Sequence, residues 1–216
     1  MSLYIKRVRL SDIWDNGITN IVIYNYFREI LTQSIGYDIL LQNFGGGFIV
    51  FSKINTFVIS GARAFAVTVE ADISRGIPDF EVVGLGSEAV REARKRVRAA
   101  IVNQGFSFPQ SRVVLNLAPA DIRKHGTSLD LPIAIGILSS AGVLPVYAAE
   151  KFSIIGELSL SGVIRPVKGI FSMVACGVKN GVKNFIVPYD NAEEAALAEG
   201  AAVYPVKSLA EAVRLL

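Results

Sequence analysis

The sequence predicts an α+β or α/β protein in which helices cover a mixed sheet in layers. Three observations lead to this prediction: short segments in which apolar residues alternate, longer segments in which they recur at helical spacing, and one tight turn between two strands. A hairpin requires antiparallel neighbours, whereas strands that alternate with helices favour parallel ones. We therefore expect a mixed sheet rather than a purely parallel one.

The first strands and the first helix are predicted between residues 65 and 117. Strands are predicted at 65–69, 80–83 and 113–117 from alternating or continuous apolar residues. The helix between the last two has Ser87 as its N-cap and Gly105 as its stop signal. Its apolar stripe consists of Val90, Ala93, Val97 and Ile101.

A second helix and a hairpin follow. The helix is predicted over 128–141, with Ser128 as its N-cap and Pro132 tolerated in its first turn. Strands over 152–160 and 163–167 flank the turn Ser161-Gly162.

The end of the chain predicts α/β alternation. A helix over 169–181 precedes a buried strand over 185–187, and a short strand is predicted over 203–206. Two pairs of residues have the spacing of a capping box and predict further helix starts: Asp190 with Glu193, and Ser208 with Glu211.

Length and composition favour a globular, cytoplasmic protein. The chain has 216 residues, of which 51 % are hydrophobic and 19 % charged, so it can bury a sizeable core. Its mean hydropathy of +0.44 would also suit a membrane protein. However, its apolar runs, such as Leu131 to Leu138, are shorter than the roughly 18 residues that span a bilayer, and its first residues lack a cleavable apolar stretch.

The sequence argues against a metal site. Cys176 is the single cysteine and His125 the single histidine, which excludes a disulfide framework and a zinc site of the usual Cys/His type. The net charge of +3 permits contact with nucleic acid without arguing for it.

Two sequence motifs bear on nucleotide binding. The segment from Gly84 to Ala89 follows a strand and opens a helix, as a dinucleotide-binding turn does, but no acidic residue follows about 20 positions later. A P-loop needs Gly-Lys before Ser or Thr, and this dipeptide occurs nowhere in the sequence. We therefore expect no bound cofactor and no ATP hydrolysis by this chain alone.

The first predicted helix carries a basic surface. Arg91, Lys95 and Arg98 share one face at i, i+4, i+7 spacing, and Arg94 adds to the charge. Such a stripe can neutralise phosphates, but it is also typical of a solvated helix face or of a subunit contact. No aromatic residues interleave with it to stack on bases.

The segment 119–127 is a loop that holds further candidate site residues: Asp121, Arg123, Lys124 and His125. Ser128 follows them, so the residue types of a Ser/His/Asp triad are present. A triad needs side chains that converge from separate elements, whereas these lie in one loop and one helix start. The sequence therefore disfavours a triad.

Three stretches together resemble one known family. They are FEVVGL at 80–85 with the basic helix after it, NLAPADIRKHGTSLDLPIA at 116–134, and GELSLSGVIRPVKG at 156–169. In this order and spacing they resemble the amino-terminal domain of the ComM/YifB family of magnesium-chelatase-related (ChlI-type) AAA+ proteins, over residues 51–216. The resemblance implies a fold similar to the Lon proteolytic domain and to the second domain of the small-subunit ribosomal protein S-five. RadA recombination proteins carry a related domain.

The resemblance also implies partners. Full-length members of the family continue into a AAA+ module with Walker motifs, where ATP and magnesium bind, and they act as hexameric ATPases on branched DNA during recombination or transformation. The expected partners are thus this ATPase module in cis, further copies of the chain in a hexamer, and DNA as a candidate. No AAA+ module is found in the 216 residues.

Comparison with Lon assigns a site that these residues support only in part. Lon uses a serine with a lysine as general base, which requires burial to lower the pKa of the amine. The resemblance places Ser128 at the nucleophile position and Phe171 at the base position, where a phenyl ring cannot accept a proton. Lys168 lies three residues earlier. We expect a scaffold that kept the fold and lost the catalytic pair.

Residues 1–50 do not match the family, whose members usually begin near Phe51. Our hypothesis is that they stem from an upstream start assignment. Gly45-Gly46-Gly47 can be encoded by GGA-GGT-GGT, a bacterial ribosome-binding sequence, and Val50 by GTG, an alternative start codon. In that case residues 1–49 would not pack on the domain and would be poorly ordered. Codons that cannot spell this signal would refute the hypothesis.

These observations lead to one functional expectation and two alternatives. We expect a non-catalytic regulatory or assembly domain of a DNA-processing, magnesium-chelatase-like AAA+ protein. One alternative is a Lon-type peptidase with Ser128 as nucleophile and Lys168 as base. The other is a nucleic-acid-binding module that uses the basic helix.

Overall fold

The structure is a computed structural model that describes residues 51–84, 88–122 and 127–216, without the side chains of residues 88–91. The strands of this part are β1 (Ser52–Ser60), β2 (Arg63–Ser74), β3 (Asp79–Val83), β4 (Arg112–Ala118), β5 (Phe152–Ile154), β6 (Glu157–Leu158), β7 (Ile164–Arg165), β8 (Asn184–Pro188) and β9 (Ala202–Val206). The helices are α1 (Glu88–Asn103), α2 (Asp130–Ser140), α3 (Val146–Ala149), α4 (Ile170–Lys179), α5 (Ala192–Ala196) and α6 (Leu209–Leu215), with a 3-10 turn at Tyr189–Asn191.

A mixed sheet forms the centre of the fold. Seven strands are ordered β3-β4-β2-β1-β5-β8-β9, and β6 and β7 form a separate antiparallel hairpin. β2 is antiparallel to its neighbours β1 and β4, whereas the other neighbouring strands in the sheet are parallel. This arrangement confirms the predicted α+β class with a mixed sheet.

Helices pack on both faces of the sheet because its strands alternate apolar side chains between the two faces. Ile54 and Val58 of β1 belong to a buried cluster that includes α1, α2 and α6. Phe57, between them in sequence, belongs to a second cluster with Met173 of α4 and Ala195 of α5. The central strands are therefore buried on both faces.

β1 is absent from the strands predicted from the sequence, although its residues alternate between two buried faces. In the hairpin region, the predicted strand 152–160 is wrong as a single element, since it is divided into β5 and β6. The division occurs at Gly156, whose N–H donates to the carbonyl of Ser128 and whose carbonyl accepts from Leu131, both at 3.0 Å. A Cβ at Gly156 would lie 3.1 Å from the Leu131 side chain, so the chain leaves the sheet where α2 approaches it closely.

Several predicted helix ends are confirmed. Gly105 has φ +84° and follows α1, and the N–H of Phe106 donates to the carbonyl of Ile101 at 3.1 Å, as in a Schellman motif. Ser208 caps α6, because its hydroxyl accepts from the N–H of Glu211 at 3.2 Å. Ser87, the predicted cap of α1, lies outside the described residues.

Two predicted caps are wrong. α2 is preceded by Leu129 and has no side-chain cap, so Ser128 is not its N-cap. α5 begins after Asn191 rather than after Asp190, also without a side-chain cap. The amide of Asn191 is instead engaged by the segment after β7: it accepts from the N–H of Val167 at 2.7 Å and donates to its carbonyl at 3.1 Å. At the starts of α2 and α5, a contact with a distant segment is thus present where a local side-chain cap was predicted.

None of the helices in the described part of the chain is long and apolar enough to cross a bilayer. The predictions for residues 1–50 concern a segment outside the described residues.

Candidate functional site

Ser128 lies in a backbone junction between α2 and the strand segment that follows β5. The residue is 9 % exposed, and its carbonyl accepts from the N–H of Gly156 at 3.0 Å. Leu131 donates back to the carbonyl of Gly156, so two backbone hydrogen bonds fix the start of α2 against this segment. The serine is thereby held at a packed junction by its main chain.

Asp130, two residues later, forms a buried ion pair with α1. Its side chain is fully buried, and its Oδ2 and Oδ1 accept from Nε and Nη2 of Arg96 at 2.8 and 3.0 Å. Oδ2 also accepts from the N–H of Leu158 at 3.3 Å. A bidentate pair with a further backbone donor satisfies most of the lone pairs of a buried carboxylate.

Burial dominates the electrostatics of this pair. Loss of water raises the pKa of Asp130 to about 6, although the hydrogen bond and the charge of Arg96 and the N–H of Leu158 each act to lower it. The hydrogen bond from Arg96 to Asp130 raises the pKa of the guanidinium, which therefore stays charged. At neutral pH both partners are ionised.

Glu157 makes side-chain contacts with Thr127, the residue before Ser128, and with Arg165. Thr127 donates a hydrogen bond from its hydroxyl to Oε2 of Glu157. Arg165 of β7 places its Nη1 3.7 Å from Oε1 of the same carboxylate. The threonine before Ser128 and the aspartate after it thus both make side-chain contacts that hold secondary-structure elements together.

The two residues considered as the base lie at the start of α4. Phe171, at the position that the resemblance assigns to a lysine, is 43 % exposed, and its N–H donates to Oε1 of Glu194 at 3.3 Å. Lys168 is exposed and precedes Gly169, which has φ +76° and stands before the helix. A phenyl ring thus occupies one position, and the lysine at the other lacks the burial that a Ser-Lys pair requires.

The basic helix presents most of its predicted stripe to solvent. Arg94, Lys95 and Arg98 are exposed, and the guanidinium of Arg98 lies 4.9 Å from the centroid of the Phe108 ring. The side chain of Arg91 lies outside the part of the chain that the structure describes. These positions leave the predictions of DNA contact and of subunit contact open.

Arg96 is the residue of this helix whose role was not predicted from the sequence. A signal was present, because Arg96 lies three residues after Ala93 and four before Ala100, and both alanines are buried. This spacing puts Arg96 at the border of the apolar stripe rather than on the solvated face.

The loop candidates are only partly described. Asp121 is exposed, whereas Arg123, Lys124 and His125 lie outside the described residues, so the structure does not address a convergence of Asp121, His125 and Ser128. Within residues 51–84, 88–122 and 127–216, no group of three His, Cys, Asp or Glu side chains is arranged to hold a metal ion.

Comparison with known proteins identifies relatives of this domain. Residues 69–191 match the family described as subunit ChlI of Mg-chelatase. The chain is 41 % identical to YifB of Escherichia coli strain K12 over 149 residues, which cover 69 % of this chain and 29 % of YifB. It is 38 % identical to competence protein ComM of Haemophilus influenzae over 168 residues, which cover 78 % of this chain and 32 % of ComM.

A more distant match concerns the fold. Lon protease 2 of Bacillus subtilis is 25 % identical over 122 residues, which cover 54 % of this chain and 22 % of that protein. This match supports the predicted likeness to Lon. The chain spans about a third of the length of YifB and of ComM. The family predicted from the three sequence stretches is confirmed: the chain belongs to the magnesium-chelatase ChlI family and is a ComM- and YifB-like member of it.

Proposed function

We propose that this chain is a non-catalytic regulatory or assembly domain of a magnesium-chelatase-like AAA+ protein that processes DNA. The observation that carries the proposal is the structural use of the residues around Ser128. Asp130 binds Arg96, Thr127 binds Glu157, and the serine backbone binds Gly156. These groups join elements of the domain to one another.

The position of the base adds a second argument. In a serine-lysine hydrolase the amine must be neutral to accept the proton of the hydroxyl, and burial in an apolar site is what makes it neutral. Phe171 has no basic atom, and Lys168 is exposed. Both observations favour a domain that has the fold of a peptidase without its chemistry.

An assembly role needs a firm surface, and α1 provides one. The Arg96–Asp130 pair fixes the helix to α2 from its inner side. Arg94, Lys95 and Arg98 then point away from the core on a helix whose position is determined. Such a surface suits a contact with an acidic face of an ATPase module or of a neighbouring subunit. The name of ComM connects that relative with competence, which agrees with a role in DNA processing.

The non-catalytic part of the proposal is tested with the purified chain. We expect ATP hydrolysis and peptide hydrolysis at the level of a protein-free blank. Turnover that disappears when one side chain of this polypeptide is replaced would overturn it.

The assembly part is tested with a ComM-type ATPase that lacks the residues matching this chain. Adding the chain in trans should change the oligomeric mass of the ATPase in light scattering, or its DNA-stimulated ATP hydrolysis. The matched control is the variant Arg94→Glu/Lys95→Glu/Arg98→Glu, whose reversed charge should abolish the effect. An ATPase that behaves identically with and without the chain would contradict an assembly role.

A nucleic-acid-binding module is the second candidate, and the exposure of Arg94, Lys95 and Arg98 on one helix favours it. Replacing these residues with Ala should weaken DNA binding and flatten its dependence on salt, because each lost phosphate contact removes a released counterion. Complete absence of DNA binding at low salt would leave the assembly role alone.

A further inference from the structure

A second basic surface, made of residues outside the basic helix, lies at one end of the central sheet. Lys53, Lys151 and Lys183 stand at the amino-terminal ends of the neighbouring strands β1, β5 and β8, and we call them the lysine row. Asn55 pairs with Ser153, so Lys53 and Lys151, each two residues earlier, lie at the same level. Phe152 pairs with Asn184, which places Lys151 level with Lys183.

Hydrogen bonds to the backbone of the row support this alignment. The side-chain amide of Asn184 donates to the carbonyl of Lys151 at 3.3 Å. The carbonyl of Lys183 accepts from the N–H of Ala202 at 2.7 Å, which continues the ladder to β9. Lys151 and Lys183 therefore lie where the chain enters hydrogen-bonded strands.

The three lysines share one end of the sheet. Lys53 is the second residue of β1, and Lys151 and Lys183 immediately precede β5 and β8. Lys53, Lys151 and Lys183 are all exposed. Neighbouring strands are about 4.8 Å apart, so the backbone positions of the three lysines lie close together at this end of the sheet.

An open depression accompanies the row. It measures about 380 Å³, and its lining includes Asn55, Lys151, Phe152, Lys183 and Asn184. Asn55 and Asn184 add polar side chains to this lining. Lys179, in the last turn of α4, is a further exposed lysine two residues before Gly181, which also lines the depression.

Two carboxylates near the row limit its positive charge. Glu150 lines the depression, and Glu70 of β2 is the partner of Lys53 in the β1–β2 register. Glu70 also accepts a hydrogen bond from Nδ2 of Asn116 at 2.8 Å. With Lys179 the lysines outnumber these acids.

An aromatic side chain stands beside the row, which the basic helix lacks in its own stripe. Tyr147 of α3 is 54 % exposed, and Nζ of Lys151 lies 5.7 Å from the centroid of its ring. Single-stranded nucleic acids bind where cations follow the phosphate backbone and exposed aromatic rings stack with bases.

From these observations we propose that the lysine row and Tyr147 bind a single-stranded nucleic acid, with the lysines on its phosphates and the tyrosine ring stacked on a base. The inference goes beyond the proposed function, since neither an assembly role nor the basic helix requires this site.

The experiment measures binding of a fluorescein-labelled oligothymidine to the full chain by anisotropy over a range of salt concentrations. In Lys53→Gln/Lys151→Gln/Lys183→Gln we expect weaker binding and a plot of log K against log salt that is shallower by about 2, from roughly 0.7 per phosphate contact. Tyr147→Ala should weaken binding roughly five- to hundredfold, whereas Tyr147→Phe should retain it.

The chain offers a matched control. Lys207 and Tyr189 form another exposed pair, with the ammonium 4.0 Å from the ring centroid. Lys207→Gln and Tyr189→Ala should bind like the wild type. All substitutions are at exposed positions, and unchanged melting temperatures will show that the variants fold.

Wild-type affinity and salt dependence in the triple lysine variant would overturn the inference, as would equal affinities of Tyr147→Ala and Tyr147→Phe. Binding that depends only on Arg94, Lys95 and Arg98 would also overturn it while supporting the second candidate function. The ATPase and assembly measurements do not depend on any of these results, so failure of the proposed function is recognised separately.

Discussion

Arg96 binds the buried carboxylate of Asp130 through two hydrogen bonds of 2.8 and 3.0 Å, which join the middle of α1 to the first turn of α2. Asp130 has no exposed side-chain surface, and Arg96 retains 21 % of its own. The pair links the basic helix to the segment that contains Ser128 and leaves Arg94, Lys95 and Arg98 exposed on the outer side of that helix.

Removing one partner of this pair should destabilise the domain strongly. Arg96→Ala leaves a buried carboxylate with one backbone donor, for which we expect a loss of about 3 kcal/mol or more in the free energy of unfolding. Urea denaturation measures it. Arg94→Ala, on the exposed side of the same helix, is the control and should change stability by no more than about 0.5 kcal/mol.

The double variant separates pairing from packing. Arg96→Met/Asp130→Leu removes both charges and retains apolar volume, so it should be more stable than Arg96→Ala. If the double variant loses as much free energy of unfolding as Arg96→Met and Asp130→Leu lose together, the two side chains act independently.

Asp130 should make stability depend on pH in an unusual direction for an acid. Its pKa is raised to about 6 in the folded state from 3.8, so between these values the folded protein binds more protons than the unfolded one. The free energy of unfolding should therefore fall as pH rises from about 4 to above 6, by roughly 3 kcal/mol if the whole shift is expressed.

Asp130→Asn isolates this contribution, because the amide does not titrate while other groups are unchanged. We expect the stability of the wild type relative to Asp130→Asn to decrease from pH 4 to pH 7 in parallel denaturation series. A relative stability that increases over this range would mean that Arg96 outweighs burial and holds the folded-state pKa of Asp130 below its ordinary value.

Ser128 should not react with a serine-directed probe. Its segment is held by Gly156, and the structure places an exposed phenylalanine and an exposed lysine at the start of α4. A fluorophosphonate should label the wild-type chain no more than Ser128→Ala, as measured by mass spectrometry. Labelling of the wild type that is lost in Ser128→Ala would restore the peptidase alternative, and Lys168→Met would then test the base.

Two helix glycines should respond in opposite ways to alanine. A Cβ at Gly177 would lie 2.5 Å from Cε1 of Phe185 and 3.0 Å from Cε2 of Phe57, whereas a Cβ at Gly136 would meet Ala71 at 3.5 Å. We expect Gly177→Ala to destabilise the domain by about 1 to 3 kcal/mol through overpacking. Gly136→Ala should be neutral or stabilising by up to about 1 kcal/mol, because alanine favours the helix. Equal melting temperatures of the two variants would contradict this reading of the packing.

The sequence by itself determined the family, the α+β class and most elements. Hydrophobic period and turn residues are local properties, so α1 with its Gly105 stop, the helix of 170–179 and the Ser208 cap could be predicted. The family followed from motif order, because the stretches 116–134 and 156–169 are specific even without coordinates.

The tertiary structure decided where local signals compete with distant partners. Ser128 and Asp190 have residue types typical of helix caps, yet Leu129 and Asn191 stand at these positions. Gly156 binds the Ser128 carbonyl, and Val167 binds the Asn191 amide. The role of Arg96 depends on Asp130, 34 residues away, which only the packing of α1 against α2 brings within hydrogen-bond distance. The alignment of the lysine row likewise depends on strand register, which couples residues about 30 to 100 positions apart and which no local pattern encodes.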